Sequence, residues 1–152
     1  MMSRTSQQSG PTAGEFVLRR RVQFAETDLA GVLHFSNYYR MMEEAECAFW
    51  RSLGKSVLDT DPDKQVGWPR VASSCTYLAP VRFEDELELA LSIVEVGTTS
   101  VTWAVEFRRG GKPVAQGRMT SVCCAMTGGE FGPTPIPDGV RSILAAHRAA
   151  AR

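Results

Sequence analysis

The sequence contains few of the residues that metal centres and disulfide frameworks need. It has only two histidines, His34 and His147, so a histidine-rich metal site is excluded. Its four cysteines form no CxxC pair and fit neither zinc spacing nor a disulfide framework. We therefore expect no metal and a reducing, cytoplasmic setting.

Charge of one sign and long apolar runs are also missing. Lys and Arg total 17 and Asp and Glu total 17, so the chain lacks the positive excess of a dedicated nucleic-acid binder. No apolar run approaches bilayer length, and residues 1–14 lack the apolar core of a signal peptide. We expect no nucleic-acid or membrane partner, a disordered leader over 1–14, and one domain over 15–152.

Two periodicities divide the first third of the chain. Apolar side chains occupy every second position from residue 16 to 24, which predicts a strand. Arg20 is the only exception at these positions. From residue 36 to 53 the apolar positions recur at helical spacing and form one stripe: Tyr38, Met41, Met42, Ala45, Phe49 and Leu53. Ser36 or Asn37 is the expected helix cap, and Gly54 is the expected stop.

The remainder reads as strands after an irregular connection over 55–69. Strands are predicted over 71–77, 87–93, 101–107 and 112–126, with a Gly110-Gly111 hairpin and a short helix over 138–148. A long helix with one apolar stripe needs a sheet to cover it. We therefore predict an α+β fold in which a curved antiparallel sheet wraps one central helix, with dimerisation covering an exposed sheet edge.

The loop FAETDLAGVLHFSNYY joins the first predicted strand to the helix. Taken alone, Asp28 in this loop is more often a turn residue than a catalyst. However, the first backbone N–H groups of the helix, near Phe35 and Ser36, would form an oxyanion site a few residues on. A carboxylate facing such a helix end suits acyl transfer, by attack on a carbonyl or by activation of water.

Other polar and aromatic residues have competing explanations. His34 beside the helix start is either a cap or packed aromatic, or a base. Glu46, at the edge of the apolar stripe, is a minor acid–base candidate. His34, Tyr38 and Trp68 are candidates for substrate contacts, although tryptophans such as Trp68 more often serve core or interface packing.

The stretch TDLAGVLHFSNYYRMMEEAE resembles the signature of the 4-hydroxybenzoyl-CoA thioesterase-like branch of hotdog-fold acyl-CoA thioesterases. The matching features are Asp28, the Ala30-Gly31 step, the Val32-Leu33 pair and Asn37-Tyr38 at the helix start. The resemblance continues through GWPRV and YLAPVRFEDEL and covers roughly residues 16–140.

This resemblance implies roles for individual residues. Asp28 would be the catalytic carboxylate, and Phe35 would supply the backbone N–H for the thioester oxygen. Gly67 would approach the thioester from a partner subunit in a homodimer or homotetramer. Coenzyme A would be part of the substrate, and no separate cofactor is implied.

The resemblance leaves the phosphate contacts of coenzyme A open. Some relatives hold these phosphates with basic residues in the turn between the third and fourth strands, but here that turn, 96–100, reads VGTTS. The remaining candidates are Arg82, Arg108, Arg109 and Lys112.

Two rival functions remain. A hotdog dehydratase would use His34 together with Glu46, and it needs both groups to converge on one substrate carbon. A non-catalytic acyl-CoA-binding module would use the same pocket without hydrolysis.

Overall fold

The computed structural model describes residues 14–58, 65–127 and 130–149. The predicted leader over 1–14 lies outside these ranges except for its last residue, so it stays a prediction. In chain order the described elements are β1 (Phe16–Arg21), α1 (Phe35–Ser52), β2 (Val66–Gly67), β3 (Arg70–Tyr77), β4 (Glu86–Val96), β5 (Ser100–Arg109), β6 (Lys112–Val122), β7 (Cys124–Thr127), β8 (Glu130–Pro133) and α2 (Asp138–Ala149).

Five of the described strands form an antiparallel sheet in the order β1-β4-β5-β6-β3. The predicted hairpin between β5 and β6 is confirmed, since Arg109 pairs with Lys112 across it. Gly110 and Gly111 have φ angles of 58° and 80°, a conformation that glycine adopts without the penalty of a side chain. Together with α1, this sheet confirms the predicted α+β architecture.

Helix α1 buries its apolar stripe against the sheet. Met41, Met42 and Ala45 are at most 1% exposed, and Tyr38 and Phe49 are 3% exposed. Leu53, predicted as the end of this stripe, is instead 36% exposed because it is the C-cap residue. The helix nevertheless stops as predicted, since the following glycine is left-handed.

The helix and the sheet approach each other closely at Gly117 on β6. A Cβ atom placed there would lie 2.2 Å from Sδ of Met42. Only a hydrogen atom fits at this position, so Gly117 lets the central strands pack directly under the helix.

Two predictions for the later chain are corrected. The expected strand over 112–126 ends at Val122, because the N–H of Cys123 turns to donate to the carbonyl of Thr99 (2.7 Å). The chain then enters a second sheet of described strands in the order β2-β7-β8. Strand β2, in the segment expected to be irregular, has two residues, which is too short for an alternation to show in the sequence.

Helix α2 follows this second sheet and packs on β4. Its range, Asp138–Ala149, confirms the short C-terminal helix predicted from the sequence. Among the described helices, neither has the length and hydropathy needed to cross a lipid bilayer.

Candidate active site

Asp28 lies at the start of a tight turn that precedes α1. Its Oδ1 accepts hydrogen bonds from the N–H groups of Ala30 (2.8 Å) and Val32 (3.3 Å). The backbone N–H of Gly31 closes the turn on the Asp28 carbonyl (2.9 Å), with φ +77° at Gly31. The second oxygen, Oδ2, accepts no hydrogen bond from any described residue. Asp28 therefore shapes the turn with one oxygen and keeps the other available.

Helix α1 begins directly after His34, which is its N-cap. Nδ1 of His34 accepts the N–H of Ser36 (3.3 Å), and the His34 carbonyl accepts the N–H of Asn37 (2.9 Å). This corrects the expectation of Ser36 or Asn37 as the cap. Within the described ranges, the N–H of Phe35 has no acceptor, so it is the free donor at the positive end of the helix.

An open groove of about 370 Å³ joins these two features. It is lined by Asp28, Val32, Leu33, Phe35, Tyr38, Tyr77, Leu78, Ala79, Pro80 and Val81. Among these lining side chains, the Asp28 carboxylate is the only charged one. No cluster of three or more His, Cys, Asp or Glu residues in the described part of the chain could hold a metal ion.

Aromatic rings form one wall of the groove. Tyr38 packs edge-on against Tyr77 with ring centroids 4.9 Å apart, and the Tyr77 hydroxyl donates to the Phe35 carbonyl (3.3 Å). Loss of solvent raises the pKa of Tyr77 to about 12 and moves the pKa of Tyr38 above its ordinary value. Both phenols therefore stay protonated at neutral pH and contribute a neutral, polarisable surface.

Arg20 connects the Asp28 loop to β1 and α1. Its guanidinium donates to both carboxylate oxygens of Glu26 (2.7 and 2.5 Å) and, through Nε, to Glu44 (2.6 Å). Burial would raise the pKa of Glu26, but the bonds from Arg20 hold it below its ordinary value. The Glu26 carbonyl in turn accepts from the N–H of His34 (2.9 Å) and the amide of Asn37 (2.8 Å). This network fixes the loop against the helix start.

Glu46 occupies a very different position on the same helix. It is 2% exposed and forms an ion pair with Arg70, whose Nη1 also donates to Ser121 (2.7 Å). Burial raises the pKa of Glu46, although Arg70 opposes the shift. Glu46 follows His34 by 12 residues, or about 18 Å along the helix. The two groups of the dehydratase hypothesis therefore do not converge within one chain.

Gly67 and Trp68 lie away from the groove in the single chain. Gly67 belongs to β2 and pairs with Cys124, and Trp68 packs against the core. Both precede β3, whose opposite end, Tyr77, borders the groove. Strand β3 has eight residues and is about 26 Å long, so Asp28 meets neither residue within its own chain.

Two of the four basic candidates are already occupied by carboxylates. Arg108 donates to Glu15 (2.8 and 3.1 Å) and to Glu106 (2.7 Å). Arg109 donates to Asp85 (2.8 Å). These pairs secure the C-terminal end of β5, and binding a phosphate there would require exchanging an existing partner.

The other two basic candidates are exposed. The Arg82 guanidinium has no carboxylate partner among the described residues, and its Nη1 lies 3.9 Å from where a Cβ of Gly31 would be. Arg82 thus overhangs the Asp28 turn. Lys112 stands at the β5–β6 hairpin, likewise without a salt bridge in the described ranges.

A family model described as Thioesterase superfamily matches residues 30–116. The chain belongs to this superfamily. The matched span covers Phe35, Gly67 and Tyr77, and it begins just after Asp28. The hotdog-fold acyl-CoA thioesterase identified from the loop motif is therefore confirmed as the family and enzyme class.

Individual relatives of this thioesterase match over nearly their whole length. A 1,4-dihydroxy-2-naphthoyl-CoA hydrolase of Synechococcus sp. (strain RCC307) is 33% identical over 129 residues, 82% of this chain and 97% of the relative. The solved structure of a gentisyl-coenzyme A thioesterase is 32% identical with a TM-score of 0.73, covering 83% of this chain and 99% of the other. An Aquifex aeolicus protein of solved structure gives 29% identity and a TM-score of 0.77, over 85% and 98%.

Two residues around the groove of this thioesterase were missed from sequence. Tyr77 gave only a weak signal, an aromatic residue at a strand end. Arg20 gave a stronger signal, since it is the single charged residue at the alternate positions of β1 that are otherwise apolar. That interruption marks the point where a cation is needed to hold Glu26 and Glu44.

Proposed function

We propose that this thioesterase hydrolyses aromatic acyl-CoA thioesters in the groove between Asp28 and the start of α1. The observation that carries the proposal is that a carboxylate oxygen without a partner and the residue bearing a free helix N–H border the same cavity. An acyl-transfer site needs these two functions together, a base or nucleophile and an oxyanion donor.

The thioester carbonyl oxygen would accept the N–H of Phe35. Negative charge develops on this oxygen as the carbonyl carbon becomes tetrahedral, and the positive end of the α1 dipole stabilises it. His34 supports this arrangement as the cap, because it occupies the N–H of Ser36 and leaves that of Phe35 open.

Asp28 can take part in thioester hydrolysis by two routes. In one, Oδ2 attacks the carbonyl carbon, the C–S bond breaks, the thiolate takes a proton from solvent, and water then hydrolyses the acyl-aspartyl anhydride. In the other, Asp28 takes a proton from water as the water oxygen attacks the same carbon, and that proton passes to the leaving thiolate. Both routes give the free acid and coenzyme A.

The walls of the groove favour an aromatic acyl group. Phe35 is 62% exposed, and Tyr77 is 44% exposed beside the buried ring of Tyr38. Such surfaces offer edge-to-face and stacked contacts to a flat ring. The names of two relatives, 1,4-dihydroxy-2-naphthoyl-CoA hydrolase and gentisyl-coenzyme A thioesterase, also refer to aromatic acyl groups.

A homodimer would complete the site. Strand β3 is the last strand of the five-stranded sheet, so its outer edge has no partner in the described chain. If two β3 edges pair antiparallel about a twofold axis, the start of one β3 lies beside the end of the other. Gly67 and Trp68 of one subunit would then approach the Asp28 groove of its partner. Association of dimers into a tetramer is compatible with this pairing.

A cytoplasmic location is the remaining part of the proposal. Cys47, Cys75 and Cys124 are free thiols. Free thiols are typical of a reducing compartment, which is consistent with the location expected from the sequence.

A panel of thioesters tests the proposed reaction. Purified protein is given benzoyl-, hydroxybenzoyl-, short-chain and long-chain acyl-CoA, and thiol release is followed by a colour reaction. We expect the highest kcat/KM for the hydroxylated aromatic group. Tight binding of every substrate without thiol release would instead support the non-catalytic binding module.

A single turnover in oxygen-18 water separates the two routes of Asp28. Label appearing in the Asp28 carboxylate requires the anhydride route. Label confined to the released acid favours activation of water.

Mixed subunits test the dimeric site. Asp28→Asn and Gly67→Val variants, each inactive alone, are co-expressed with different affinity tags. If Gly67 acts in the partner's site, random mixing restores about a quarter of normal activity, because half of the dimers carry one intact site. Complete inactivity of the mixture would place both residues in the same site of one chain.

A further inference from the structure

The rings of Phe24 and Phe83 lie outside the core. Phe24 precedes the Asp28 turn in the chain, and Phe83 contacts Phe24 from the segment before β4. Phe24 is 75% exposed and Phe83 is 47% exposed, and their rings meet edge to face with centroids 5.6 Å apart. A pair of exposed aromatic rings in contact is a typical feature of a recognition surface. Neither ring borders the groove already described.

A strained turn holds one of these rings in place. Glu84 has a φ of 67°, an uncommon conformation for a residue with a side chain. The turn persists because Glu84 N–H donates to the Val22 carbonyl (3.0 Å) and Val22 N–H donates to the Asp85 carbonyl (3.0 Å). Phe83 is therefore presented to solvent by a backbone that is fixed on both sides.

Three arginines line an open surface beside the aromatic pair. An open bowl of about 710 Å³ is lined by Arg19, Arg20, Arg21, Val22, Gln23, Phe24, Ala25, Phe83 and Glu84. Arg20 is committed to Glu26 and Glu44. Arg19 and Arg21 form ion pairs with Glu88 (3.7 Å) and Glu86 (2.6 Å), but their side chains are 66% and 64% exposed. Next to Phe83 stands Arg82, which has no carboxylate partner among the described residues. Guanidinium groups beside exposed rings suit a ligand with both phosphates and a flat base.

The turn that would otherwise serve this purpose has no basic residue and is bonded to the C-terminal segment. Some members of the branch that this chain resembles hold the nucleotide at the turn between the third and fourth strands, here the β4–β5 turn. Nη2 of Arg141 on α2 donates to the carbonyls of Gly97 (2.8 Å) and Thr98 (2.9 Å), and the N–H of Ile136 also donates to Thr98 (3.0 Å). The C-terminal segment thus occupies the backbone of that turn.

The bowl also lies within reach of the reaction site. Phe24 precedes Asp28 by four residues, a separation of at most about 14 Å. The pantetheine arm, with its two amide groups, is about as long as four or five extended residues. A thioester placed beside Asp28 can therefore extend its nucleotide end past Arg82 to the two rings.

We propose that the bowl binds the phosphorylated adenosine end of a coenzyme A thioester. Adenine stacks on one of the two phenylalanine rings and meets the other edge to face, since the rings are nearly perpendicular. The phosphates pair with Arg82 and with Arg21 or Arg19, which exchange the partners Glu86 or Glu88. The proposal rests on the proposed function, because it concerns the same substrate, but it assigns a separate surface to the nucleotide.

The test compares two thioesters of the same acid, benzoyl-CoA and S-benzoyl-N-acetylcysteamine, which lacks the nucleotide. The measured quantity is the ratio of their kcat/KM values. The double variant Phe24→Leu/Phe83→Leu keeps the surface apolar but removes stacking, and Arg82→Gln removes one cation. Each should lower the ratio about tenfold, mainly through KM for benzoyl-CoA.

Arg148→Gln is the matched control, since Arg148 is an exposed arginine in the last turn of α2 and lines neither the bowl nor the groove. Its ratio should stay within about twofold of the unmodified protein. Binding of adenosine 3′,5′-bisphosphate, followed by calorimetry, gives a readout that does not depend on hydrolysis. We expect binding to the unmodified protein and to Arg148→Gln, and its loss in the two bowl variants.

The outcomes separate this proposal from the proposed function. If adenosine 3′,5′-bisphosphate binds only when the bowl is intact but no thioester is hydrolysed, the bowl is supported and the proposed reaction is wrong. If thioesters are hydrolysed with an unchanged ratio and unchanged nucleotide binding in the bowl variants, the bowl proposal is wrong. It is equally wrong if Phe24→Leu/Phe83→Leu changes only the oligomeric state, since the rings would then bind a second copy of the chain.

Discussion

Asp28 and Glu46 are two carboxylates beside the same helix, in opposite surroundings. Asp28 lies before the helix, partly exposed, with Oδ2 open to a groove. Glu46 lies in the middle of α1, 2% exposed, against Arg70. A carboxyl group with a pKa raised by burial is often a candidate catalyst, yet here that group joins a helix to a sheet. Access to a cavity and a nearby free backbone N–H group therefore identify the reactive carboxylate better than a raised pKa does.

The backbone explains why the two positions differ. In the middle of a helix every N–H is bonded to the carbonyl four residues earlier, so no donor near Glu46 is free to stabilise an oxyanion. At the helix start the N–H of Phe35 lacks such a partner. A carboxylate is therefore useful for acyl transfer at the end of α1 and not halfway along it.

The largest expected effect comes from Asp28→Asn. Asparagine keeps an oxygen that can accept the N–H groups of Ala30 and Val32, so the turn should remain. It cannot act as base or nucleophile, and kcat should fall about 10²- to 10⁴-fold. Thiol release measures the loss, and thermal unfolding checks that the fold is kept. Normal turnover in this variant would remove Asp28 from the chemistry.

Glu46→Leu should affect stability more than catalysis. The change leaves the largely buried Arg70 without its carboxylate, and the free energy of unfolding should fall by about 2 kcal/mol. The double variant Glu46→Leu/Arg70→Met should recover most of this loss, because neither charge then remains. Urea unfolding measures both. A fall in kcat as large as that of Asp28→Asn, with stability unchanged, would reverse the roles assigned to the two carboxylates.

Arg20→Met should act on catalysis through the position of the Asp28 loop. Without its bonds to Glu26 and Glu44 the loop can shift relative to Phe35, and kcat should fall about tenfold, with a smaller change in KM. Arg20→Lys should recover part of the loss. In a double-mutant cycle, Glu26→Gln should add little to Arg20→Met. Additive losses would show that the two residues act separately.

The smallest effect concerns pH. Burial raises the pKa of folded Glu46 above its unfolded value, so the folded state holds this proton more tightly. The stabilisation from protonated Glu46 is complete below about pH 4 and is lost as the pH rises through the raised pKa. The free energy of unfolding, measured from pH 4 to 7, should therefore decline relative to a Glu46→Gln variant. A difference that is constant with pH would show that Glu46 keeps its ordinary pKa.

Local patterns allowed much of this fold to be predicted. The apolar stripe of α1, the left-handed Gly54 and the Gly110-Gly111 hairpin each depend on residues that are close in sequence. The motif around Asp28 also led to the correct family. The cap was predicted wrongly because His34, Ser36 and Asn37 all carry suitable side chains, and only the backbone geometry selects among them.

Long-range contacts account for what was missed. Strand β2 exists because β7 pairs with it, and the final long strand divides because the chain crosses into that second sheet. Neither event leaves a periodic signal in a segment of two to four residues. Residues 59–64, also part of the connection expected to be irregular, lie outside the described residues.

The positions of the helix and the main strands follow from the amino-acid pattern alone, and the motif around Asp28 marks this residue as the candidate catalytic carboxylate. The folded arrangement was needed to show that Asp28 keeps one oxygen open, that Arg20 holds its loop, and that Glu46 is paired in the interior. Helices, strands and turns could be predicted because periodicity and turn preference act between neighbours in the chain. Burial and charge pairing depend instead on residues such as Arg20 and Glu44, or Glu46 and Arg70, which only folding brings together.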